Sequence, residues 1–245
     1  MISVCMATYN GEKYIKEQID SILEQLSDND ELIISDDGSS DETVSIILDI
    51  NDKRIKLLQN TSAKENLSNI QIVTRNFENA LRHAQGDFIF MSDQDDVWLP
   101  QKVAMMLDVL KDVDYVVSDC YIVDEKLNIV HNSRFYEGGG LTKNKWKALI
   151  SPTPYQGSCA AFRRTVLEKA LPFPRGIQSH DRWIGYVASF FFTYVILDQP
   201  LIYYRRHSNV VSTAALSNSR EATLNKVKVR IKYIVELIKL FLKNG

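Results

Sequence analysis

Three aspartates crowd into four positions near the middle of the chain, within the stretch FMSDQDDVW at residues 90–98. Asp93, Asp95 and Asp96 follow an apolar run and precede bulky apolar residues, which is where a buried strand would end. Carboxylates this close repel one another unless a positive charge neutralises them, and a divalent cation is the simplest such charge. Oxygen ligands suit Mg²⁺ or Mn²⁺, which typically bind one or two carboxylates together with substrate phosphates. The stretch therefore predicts metal-assisted handling of a nucleotide diphosphate.

A second acidic pair, Asp36 and Asp37, follows an earlier apolar run and precedes Gly38. In open α/β sheets ligands bind beyond the carboxyl ends of the strands, so both acidic groups would meet a ligand at the same edge. The same residues also fit a turn, and Ser39 with Glu42 fits a capping box for the next helix. Both uses are compatible, because Ser39 can cap a helix while Asp36 faces the ligand.

Other ligand-binding patterns do not match the chain. Residues 7–11 form the first turn and lack the G-x-G-x-x-G pattern, and no Gly-Lys-Ser/Thr triplet occurs, which disfavours dinucleotide dehydrogenases and P-loop enzymes. A calcium EF-hand loop also fails, because Trp98 stands where its glycine belongs and Ala104 where its bidentate glutamate belongs.

Two other functional classes of protein remain as alternative interpretations of the acidic stretches. A sugar-phosphate nucleotidyltransferase shares this kind of sheet and acidic site, but it needs a glycine-rich basic loop after the first strand, which residues 7–11 do not supply. A non-catalytic carbohydrate-binding relic would have lost a carboxylate of the acidic stretch, whereas Asp93 and Asp95 are both present.

Strand-like and helix-like segments alternate through the first half of the chain. Apolar runs predict strands, and apolar residues at helical spacing predict helices. This order indicates βαβ units, hence a Rossmann-like, mostly parallel α/β sheet flanked by helices. The predicted strands cover 2–7, 31–35, 55–58, 87–92, 115–123, 156–163 and 193–204, the last broken by Pro200, with a hairpin return near 130. The predicted helices cover 11–26, 41–50, 70–84, 103–110 and 180–189.

Length and charge narrow the functional class. The 245 residues allow one large or two small domains, and a net charge of -2 gives no electrostatic case for nucleic acid. The cysteines, Cys5, Cys120 and Cys159, are odd in number and far apart, so small core residues in a reducing cytosol are expected. The first ten residues suggest a buried strand rather than a signal peptide, which predicts a cytoplasmic protein.

The last stretch, residues 220–244, predicts a basic amphipathic helix with seven basic and two acidic residues. Three uses stay open for it: a peripheral contact with the inner face of the plasma membrane, packing on its own domain, or packing on a second subunit in a homodimer. One face of this predicted helix carries Ile231, Ile234, Ile238 and Leu242, and another carries Lys228, Lys232, Lys239 and Lys243.

A glycine triplet at 138–140 fits either a lid on the acceptor side of the site or a flexible surface loop.

Four motifs together resemble family 2 glycosyltransferases of the A-type fold, and the resemblance covers about the first 210 residues. They are ATYNGEKYI at 7–15, ISDDGSSDET at 34–43, RNFENAL and GDFIFMSDQDDVWLPQKV within 75–103, and YYRRHSNVVS at 203–212. The resemblance implies a transferase domain over 1–215, with a nucleotide-binding half at 1–98 and an acceptor half at 99–215, followed by the helix of 216–245. The forms SDQDDVW and HDRW also look like bacterial rhamnosyltransferases of surface polysaccharide assembly, which would imply a dTDP-rhamnose donor.

The resemblance also implies roles for individual residues on the donor side. Thr8 and Asn10 would lie under the nucleotide, and Asp36 or Asp37 would hydrogen-bond the base or ribose. Asp93 and Asp95 would form the D-x-D element, with Asp95 in direct contact with Mn²⁺ or Mg²⁺. Asp96 would support either the loop or the donor sugar. Other residues expected near the metal, donor or acceptor are Trp98, Gly157, Arg182, Trp183, Arg205, Arg206 and His207.

For the reaction, the resemblance implies an inverting transfer of a sugar from a dTDP- or UDP-sugar to a hydroxyl of a glycan or polyprenyl-linked acceptor. Asp181, in the stretch SHDRW, stands at the position of the catalytic base. His180 replaces the glutamate that usually precedes this base, which leaves the role of that neighbour open.

Overall fold

The first half of the chain folds as four parallel strands with helices between them. The cores of β1, β2 and β4 are buried aliphatic and aromatic runs, as expected for parallel strands covered on both faces, whereas β3 at the end of the sheet is partly exposed. The predicted βαβ order is confirmed, although the first helix is shorter than predicted at both ends. The strands are β1 (Ile2–Thr8), β2 (Glu31–Asp36), β3 (Ile55–Gln59) and β4 (Phe88–Ser92), and the helices are α1 (Ile15–Leu23), α2 (Thr43–Ile50) and α3 (Asn69–His83).

The second half adds five strands and five helices in the part of the chain that the computed structural model describes, namely residues 1–61, 65–136, 141–206 and 220–243. The glycines at 138–140 and His207, which carried predictions, lie outside these residues. The strands are β5 (Val97–Trp98), β6 (Tyr115–Val123), β7 (Ile129–His131), β8 (Ala160–Arg163) and β9 (Tyr194–Arg205), and the helices are α4 (Lys102–Val109), α5 (Lys145–Ala148), α6 (Arg164–Ala170), α7 (His180–Phe191) and α8 (Arg220–Leu242).

All nine described strands join one mixed sheet in the order β3-β2-β1-β4-β8-β6-β9-β5, with β7 paired to β6. β8 runs antiparallel between β4 and β6, and it therefore joins the two halves of the chain in one sheet. β9 runs parallel to β6, and the short β5 pairs antiparallel with β9. The predicted α/β sheet flanked by helices is confirmed.

The sheet topology collects the polar segments at one edge. β1, β2 and β4 are parallel and end there at Thr8, Asp36 and Ser92. β8 is antiparallel to them, so the short 3-10 turn before it, Gly157–Cys159, reaches the same edge. β9 ends there at Arg205, opposite the last residue of β6.

A buried amide on α3 ties the ends of β1 and β2 together. The Nδ2 of Asn76 donates hydrogen bonds to the carbonyls of Thr8 (3.2 Å) and Ser35 (2.8 Å), and its Oδ1 accepts from the Ser35 hydroxyl (2.6 Å). Asn79, one turn later, donates to the same hydroxyl at 2.8 Å. Buried polar groups need such partners, so the asparagines of the NFEN stretch fix where the two strand ends lie.

Helix α8 packs on the domain through a face that its apolar pattern did not predict. The buried positions are Tyr233 and Leu237, whereas Ile231, Ile238 and Leu242 are exposed. The Tyr233 hydroxyl accepts a hydrogen bond from the backbone N–H of Ser179 (2.9 Å) and donates to its carbonyl (3.2 Å). No helix within the described ranges is long and apolar enough to cross a membrane.

Candidate functional site

The turn after β4 places three carboxylates against the centre of the sheet edge. Asp93 is half-buried, and its pKa is raised to about 8 because burial, the charge of Asp95 and the charge of Asp181 all disfavour its ionised form. A hydrogen bond with the Ser158 side chain acts in the opposite direction. The structure thus brings Asp93, Asp95 and Asp181 together from segments far apart in the sequence.

Asp96 is fully buried at the base of the same turn. Its Oδ1 accepts a hydrogen bond from the backbone N–H of Arg205 at 3.1 Å, while its Oδ2 has no partner in the described structure. Burial, followed by the charges of Asp95 and Asp93, raises the pKa of this carboxyl well above its usual value. Of the two roles that the family resemblance implied for Asp96, support of the loop is the one that these contacts favour.

Arg205 clamps the acidic turn from the end of β9. Only 3% of it is exposed, and its guanidinium donates to the Asp95 carbonyl (2.9 Å), the Glu125 carbonyl (2.7 Å) and the Glu17 carboxylate. These contacts hold the backbone of the turn, so a contact of Arg205 with a diphosphate stays a prediction. The next residue, Arg206, donates its backbone N–H to the Val123 carbonyl at 2.9 Å.

Gln94, which the sequence analysis passed over, joins the acidic turn to the loop after β1. Its Oε1 accepts from the Thr8 hydroxyl (2.6 Å) and the Tyr9 N–H (2.8 Å), and its Nε2 donates to the Tyr9 carbonyl (3.1 Å). Thr8 is therefore a buried contact of the turn as well as a predicted nucleotide contact. A β-carbon at Gly11 would lie 2.6 Å from that same Oε1, which explains the glycine.

Asn10 holds the loop after β1 against the loop after β2. It adopts a left-handed backbone with a φ of 48°, which asparagine tolerates better than most residues. Its Oδ1 accepts from the Ser40 N–H, and its own N–H donates to the Ser39 hydroxyl, both at 2.9 Å.

The Asp36 side chain folds back onto its own loop. It is 1% exposed and accepts hydrogen bonds from the N–H groups of Gly38 (3.0 Å) and Ser39 (2.9 Å) and from the Ser39 hydroxyl. Gly38 has a φ of 83°, so this loop needs a residue without a side chain. Asp37 is also buried and accepts from the Asn60 amide at 3.0 Å.

The expected capping box of Ser39 and Glu42 is wrong. Helix α2 begins at Thr43, and no side chain at Glu42 caps it. The Asp41 carboxylate instead accepts hydrogen bonds from the Thr43 N–H at 3.1 Å and from its hydroxyl. The Ser39 hydroxyl instead donates to the Asp36 carboxylate and accepts the Asn10 N–H, so it does not cap α2, and a contact of Asp36 with the ligand stays a prediction.

The beginning of α7 presents Asp181 towards the acidic turn. Ser179 is the N-cap of the helix, and its hydroxyl hydrogen-bonds the Asp181 carboxylate. The same carboxylate accepts the Arg182 N–H at 2.6 Å. A carboxylate in the first turn is favoured by the helix dipole, so Asp181 stabilises the helix while it lies in the field of Asp93.

His180 is a buried neutral base beneath this helix start. Its ring stacks on Phe77 with centroids 3.9 Å apart, and 8% of it is exposed. Burial lowers its pKa to about 4, and the described structure gives its Nε2 no partner. A β-carbon at Gly157 would lie 3.0 Å from that nitrogen, so Gly157 makes room for the imidazole.

Two tryptophans predicted near the substrates belong to the core. Trp183 is 1% exposed and donates its indole N–H to the Ala170 carbonyl at 2.9 Å. Trp98 is 2% exposed and packs beside Phe90, with ring centroids 5.8 Å apart. They shape the site from behind, whereas the Arg182 side chain is exposed at the helix start.

Lys102 is a functional candidate that the sequence analysis missed. It is fully buried, its ammonium donates to the Ser158 carbonyl at 2.5 Å, and it lies 4.3 Å from the centre of the Trp98 ring. Burial lowers its pKa to about 8, and the charges of Asp96 and Asp93 oppose this shift. A lysine inside the apolar stretch VWLPQKVAMM was the available signal, because such a charge is rarely buried without a partner.

A family model described as "Glycosyl transferase family 2" matches residues 3–171. The match covers both acidic loops and the turn before β8. The chain belongs to glycosyl transferase family 2.

Proteins named as glycosyltransferases resemble the chain over different lengths. The UDP-Glc:alpha-D-GlcNAc-diphosphoundecaprenol beta-1,3-glucosyltransferase WfgD of Escherichia coli is 39% identical over 110 residues, which cover 45% of this chain and 41% of that protein. An uncharacterized glycosyltransferase of Nostoc sp. is 27% identical over 236 residues, which cover 90% of this chain and 70% of that protein. The chain thus spans less than half of the first relative.

Two solved structures share the fold. Staphylococcus aureus TarS 1-349 in complex with UDP-GlcNAc has a TM-score of 0.69 at 20% identity, over 96% of this chain and 66% of that chain. The mannosyltransferase PcManGT from Pyrobaculum calidifontis, in complex with GDP-Man and Mn2+, has a TM-score of 0.57 at 19% identity, over 97% of this chain and 64% of that chain. At 20% and 19% identity, the likeness of these two structures to the chain shows that the fold is shared.

The acidic turn of this family 2 chain fits a divalent cation that is shared with a substrate. Within the described residues, no three His, Cys, Asp or Glu side chains converge as a complete ligand set. Asp93 and Asp95 interact electrostatically, and Mg²⁺ or Mn²⁺ needs only one or two carboxylates when phosphates supply further oxygens. The residues therefore suit a cation held jointly with a diphosphate, and they do not form a protein cage.

The buried His180 predicts a pH-dependent stability. Its pKa is about 4 in the folded chain and about 6.5 when unfolded, so the unfolded state binds more protons between these values. Stability is present above pH 6.5 and is lost as the pH falls, by about 2 kcal/mol between pH 7 and pH 5. Denaturant unfolding at both pH values should show this loss in the wild type and a loss smaller by that amount in His180→Gln.

The matched control is His83→Gln, because His83 is exposed on α3. This variant should keep the wild-type pH dependence. An identical pH dependence in His180→Gln and the wild type would show that His180 is not held neutral by burial.

Proposed function

We propose that the chain transfers a sugar from a nucleotide-diphosphate donor to a hydroxyl of a glycan or lipid-linked acceptor. The observation that carries this proposal is the meeting of Asp93 and Asp95, from the turn after β4, with Asp181, from the start of α7, at one sheet edge. Family membership supports the reaction class, and the two similar structures are complexes of those proteins with UDP-GlcNAc and with GDP-Man.

The two halves of the chain divide the substrates in this proposal. Residues 1–98 hold the nucleotide, with Thr8, Asn10, Asp36 and Asp37 on the loops that would lie beneath it. Residues 99–215 bind the acceptor, with α7 at its centre. Asp95 and Asp93 would hold Mg²⁺ or Mn²⁺, which when bound would supply positive charge for the departing diphosphate.

Asp181 is the general base of the proposed reaction. Its carboxylate accepts the proton of the acceptor hydroxyl while the oxygen attacks the anomeric carbon from the face opposite the diphosphate. The new glycosidic bond forms as the bond to the diphosphate oxygen breaks, so the configuration at the anomeric carbon inverts. Ser179 and the Arg182 N–H orient the carboxylate, and orientation of two substrates supplies much of the rate.

Short motifs and the E. coli relative support a more specific proposal for the donor and the acceptor. The forms SDQDDVW and HDRW favour dTDP-rhamnose as the donor, in the synthesis of a cell-surface polysaccharide on the cytoplasmic side of the membrane. The E. coli relative is named for transfer to GlcNAc-diphosphoundecaprenol, which supports a polyprenyl-linked acceptor for this chain.

Replacing Asp181 with asparagine separates binding from chemistry. Asp181→Asn keeps the size of the side chain and removes the base, so turnover should fall by about 10²-fold or more. Donor affinity, measured by calorimetry, should stay within about twofold, since the base contacts the acceptor. Turnover is followed as release of nucleoside diphosphate with a GlcNAc-diphosphoundecaprenol acceptor.

Asp108→Asn is the matched control, because Asp108 is exposed on α4 and pairs only with Lys111 among described contacts. It should leave both turnover and affinity unchanged. A transfer rate in Asp181→Asn equal to that of the wild type would remove Asp181 from the mechanism.

Donor binding should require a divalent cation. In a thermal-shift panel of nucleotide sugars that includes dTDP-rhamnose and UDP-glucose, the true donor should stabilise the chain by about 2.7 kcal/mol at about 100 times its Kd. The shift should disappear with chelator and in Asp95→Asn, and it should persist in Asp108→Asn. Equal shifts with Mn²⁺ and with chelator would contradict a cation shared by the carboxylates and the diphosphate.

A further inference from the structure

Helix α8 leaves an apolar stripe exposed on the side away from the domain. The buried side of the helix already has its own apolar residues, so the stripe is a second apolar face. Side chains at this spacing lie along one side of a helix. The stripe consists of Val227, Ile231, Val235, Ile238 and Leu242, which are between 41% and 74% exposed.

The stripe continues into aromatic side chains from α5 and α7. Phe241, beside the stripe and 69% exposed, lies with its ring centroid 6.0 Å from that of Phe191 at the end of α7. The neighbouring Phe190 makes an edge contact of 4.9 Å with Trp146 on α5, which is 65% exposed. We call the stripe and these four aromatic residues the apolar face.

Lysines surround the apolar face. The Lys145 ammonium lies 5.3 Å from the centre of the Phe190 ring, and the Lys169 ammonium lies 4.6 Å from that of Phe191. Exposed lysines stand nearby at Lys147 on α5 and at Lys228, Lys239 and Lys243 along α8. Among the described side chains of α6 and α8, Glu236 is paired with Lys239, and Glu168 is exposed.

We propose that the apolar face docks on the surface of an anionic lipid bilayer. A large exposed apolar patch rimmed by charge marks an interaction site. An amphipathic helix with a basic flank lies in the interfacial region of a membrane, where its apolar side enters the acyl boundary and its lysines meet anionic headgroups. Tryptophan and phenylalanine, both present here, are typical of such contacts.

Charge argues against a second copy of the chain as the occupant. In a symmetric dimer the same patch meets itself, so the lysines at its rim would face lysines of the partner. Like charges brought together across an interface cost several kcal/mol and suppress that pairing. A negatively charged surface satisfies the same lysines without this cost.

The face is mechanically joined to the proposed catalytic end of α7. Tyr233 on α8 holds Ser179, which caps α7 and bonds Asp181, while the other end of α7 carries Phe190 and Phe191. Twelve helical residues span about 18 Å, so the docked face lies about that far along α7 from Asp181. This spacing suits a lipid-linked acceptor, an interpretation that rests on the proposed function. The docking of the apolar face on a bilayer does not depend on the proposed function.

The test is sedimentation with vesicles of phosphatidylglycerol and phosphatidylcholine, compared with vesicles of phosphatidylcholine alone. The full chain should bind the anionic vesicles, and added salt should weaken the binding. Trp146→Glu combined with Phe241→Glu should reduce vesicle affinity by at least about tenfold. The double variant loses two apolar side chains and gains two negative charges, which the anionic headgroups repel. Leu48→Glu, at a 62%-exposed position on α2, should bind as the wild type does.

Three outcomes would overturn the proposal. They are an absence of binding to anionic vesicles by the wild type, equal binding by the double variant, and a concentration-dependent dimer in light scattering that the double variant abolishes. The last would assign the face to a second copy. The thermal shift with nucleotide sugar and Mn²⁺, measured on the same variant, should be unchanged, which separates failure of docking from failure of the proposed transfer reaction and confirms folding.

Discussion

The site depends on the confinement of mutually repelling carboxylates at the end of one buried strand. Asp96 is fully buried and Asp93 half-buried, and their pKa values are raised because burial and neighbouring charge both oppose ionisation. Two buried cationic side chains lie against the turn: Arg205 donates to the Asp95 carbonyl, and Lys102 donates to the Ser158 carbonyl of the neighbouring segment. Under the proposed function, a divalent cation would supply the positive charge that the carboxylates of this turn need.

The surrounding fold provides that confinement through polar side chains with two roles. Gln94 belongs to the acidic turn and also fixes the loop after β1, and Asp181 stabilises the start of α7 while it faces Asp93. His180 stays neutral in its stack on Phe77, and the missing side chain at Gly157 makes space for it. The proposed catalytic group is therefore positioned by the same contacts that stabilise the helix start.

The sequence predicted the first four strands because each is a mainly apolar run bounded by polar turns. It missed β5, which has only two residues, α5, which has only four, and α6, which follows β8 directly without a turn signal. The break predicted at Pro200 is wrong, because β9 is continuous from Tyr194 to Arg205. It located the acidic residues of the site, but the partners of Asp36, Arg205 and Lys102 come from distant segments and leave no local pattern. For α8 both sides of the helix are apolar enough to pack, so the pattern alone could not decide which one would be buried.

The most direct test compares two aspartates at the same sheet edge by thermal unfolding in chelator and by calorimetry with nucleoside diphosphate and Mn²⁺. Asp119 is buried and accepts N–H groups of Cys120, Arg134 and Phe135, so Asp119→Asn should lower the Tm. Asp93→Asn should raise stability by at least about 1 kcal/mol, or about 2–4 °C in Tm, and abolish cation-dependent binding. A fall in Tm for Asp93→Asn, with binding retained, would contradict a site held under charge repulsion for its cation.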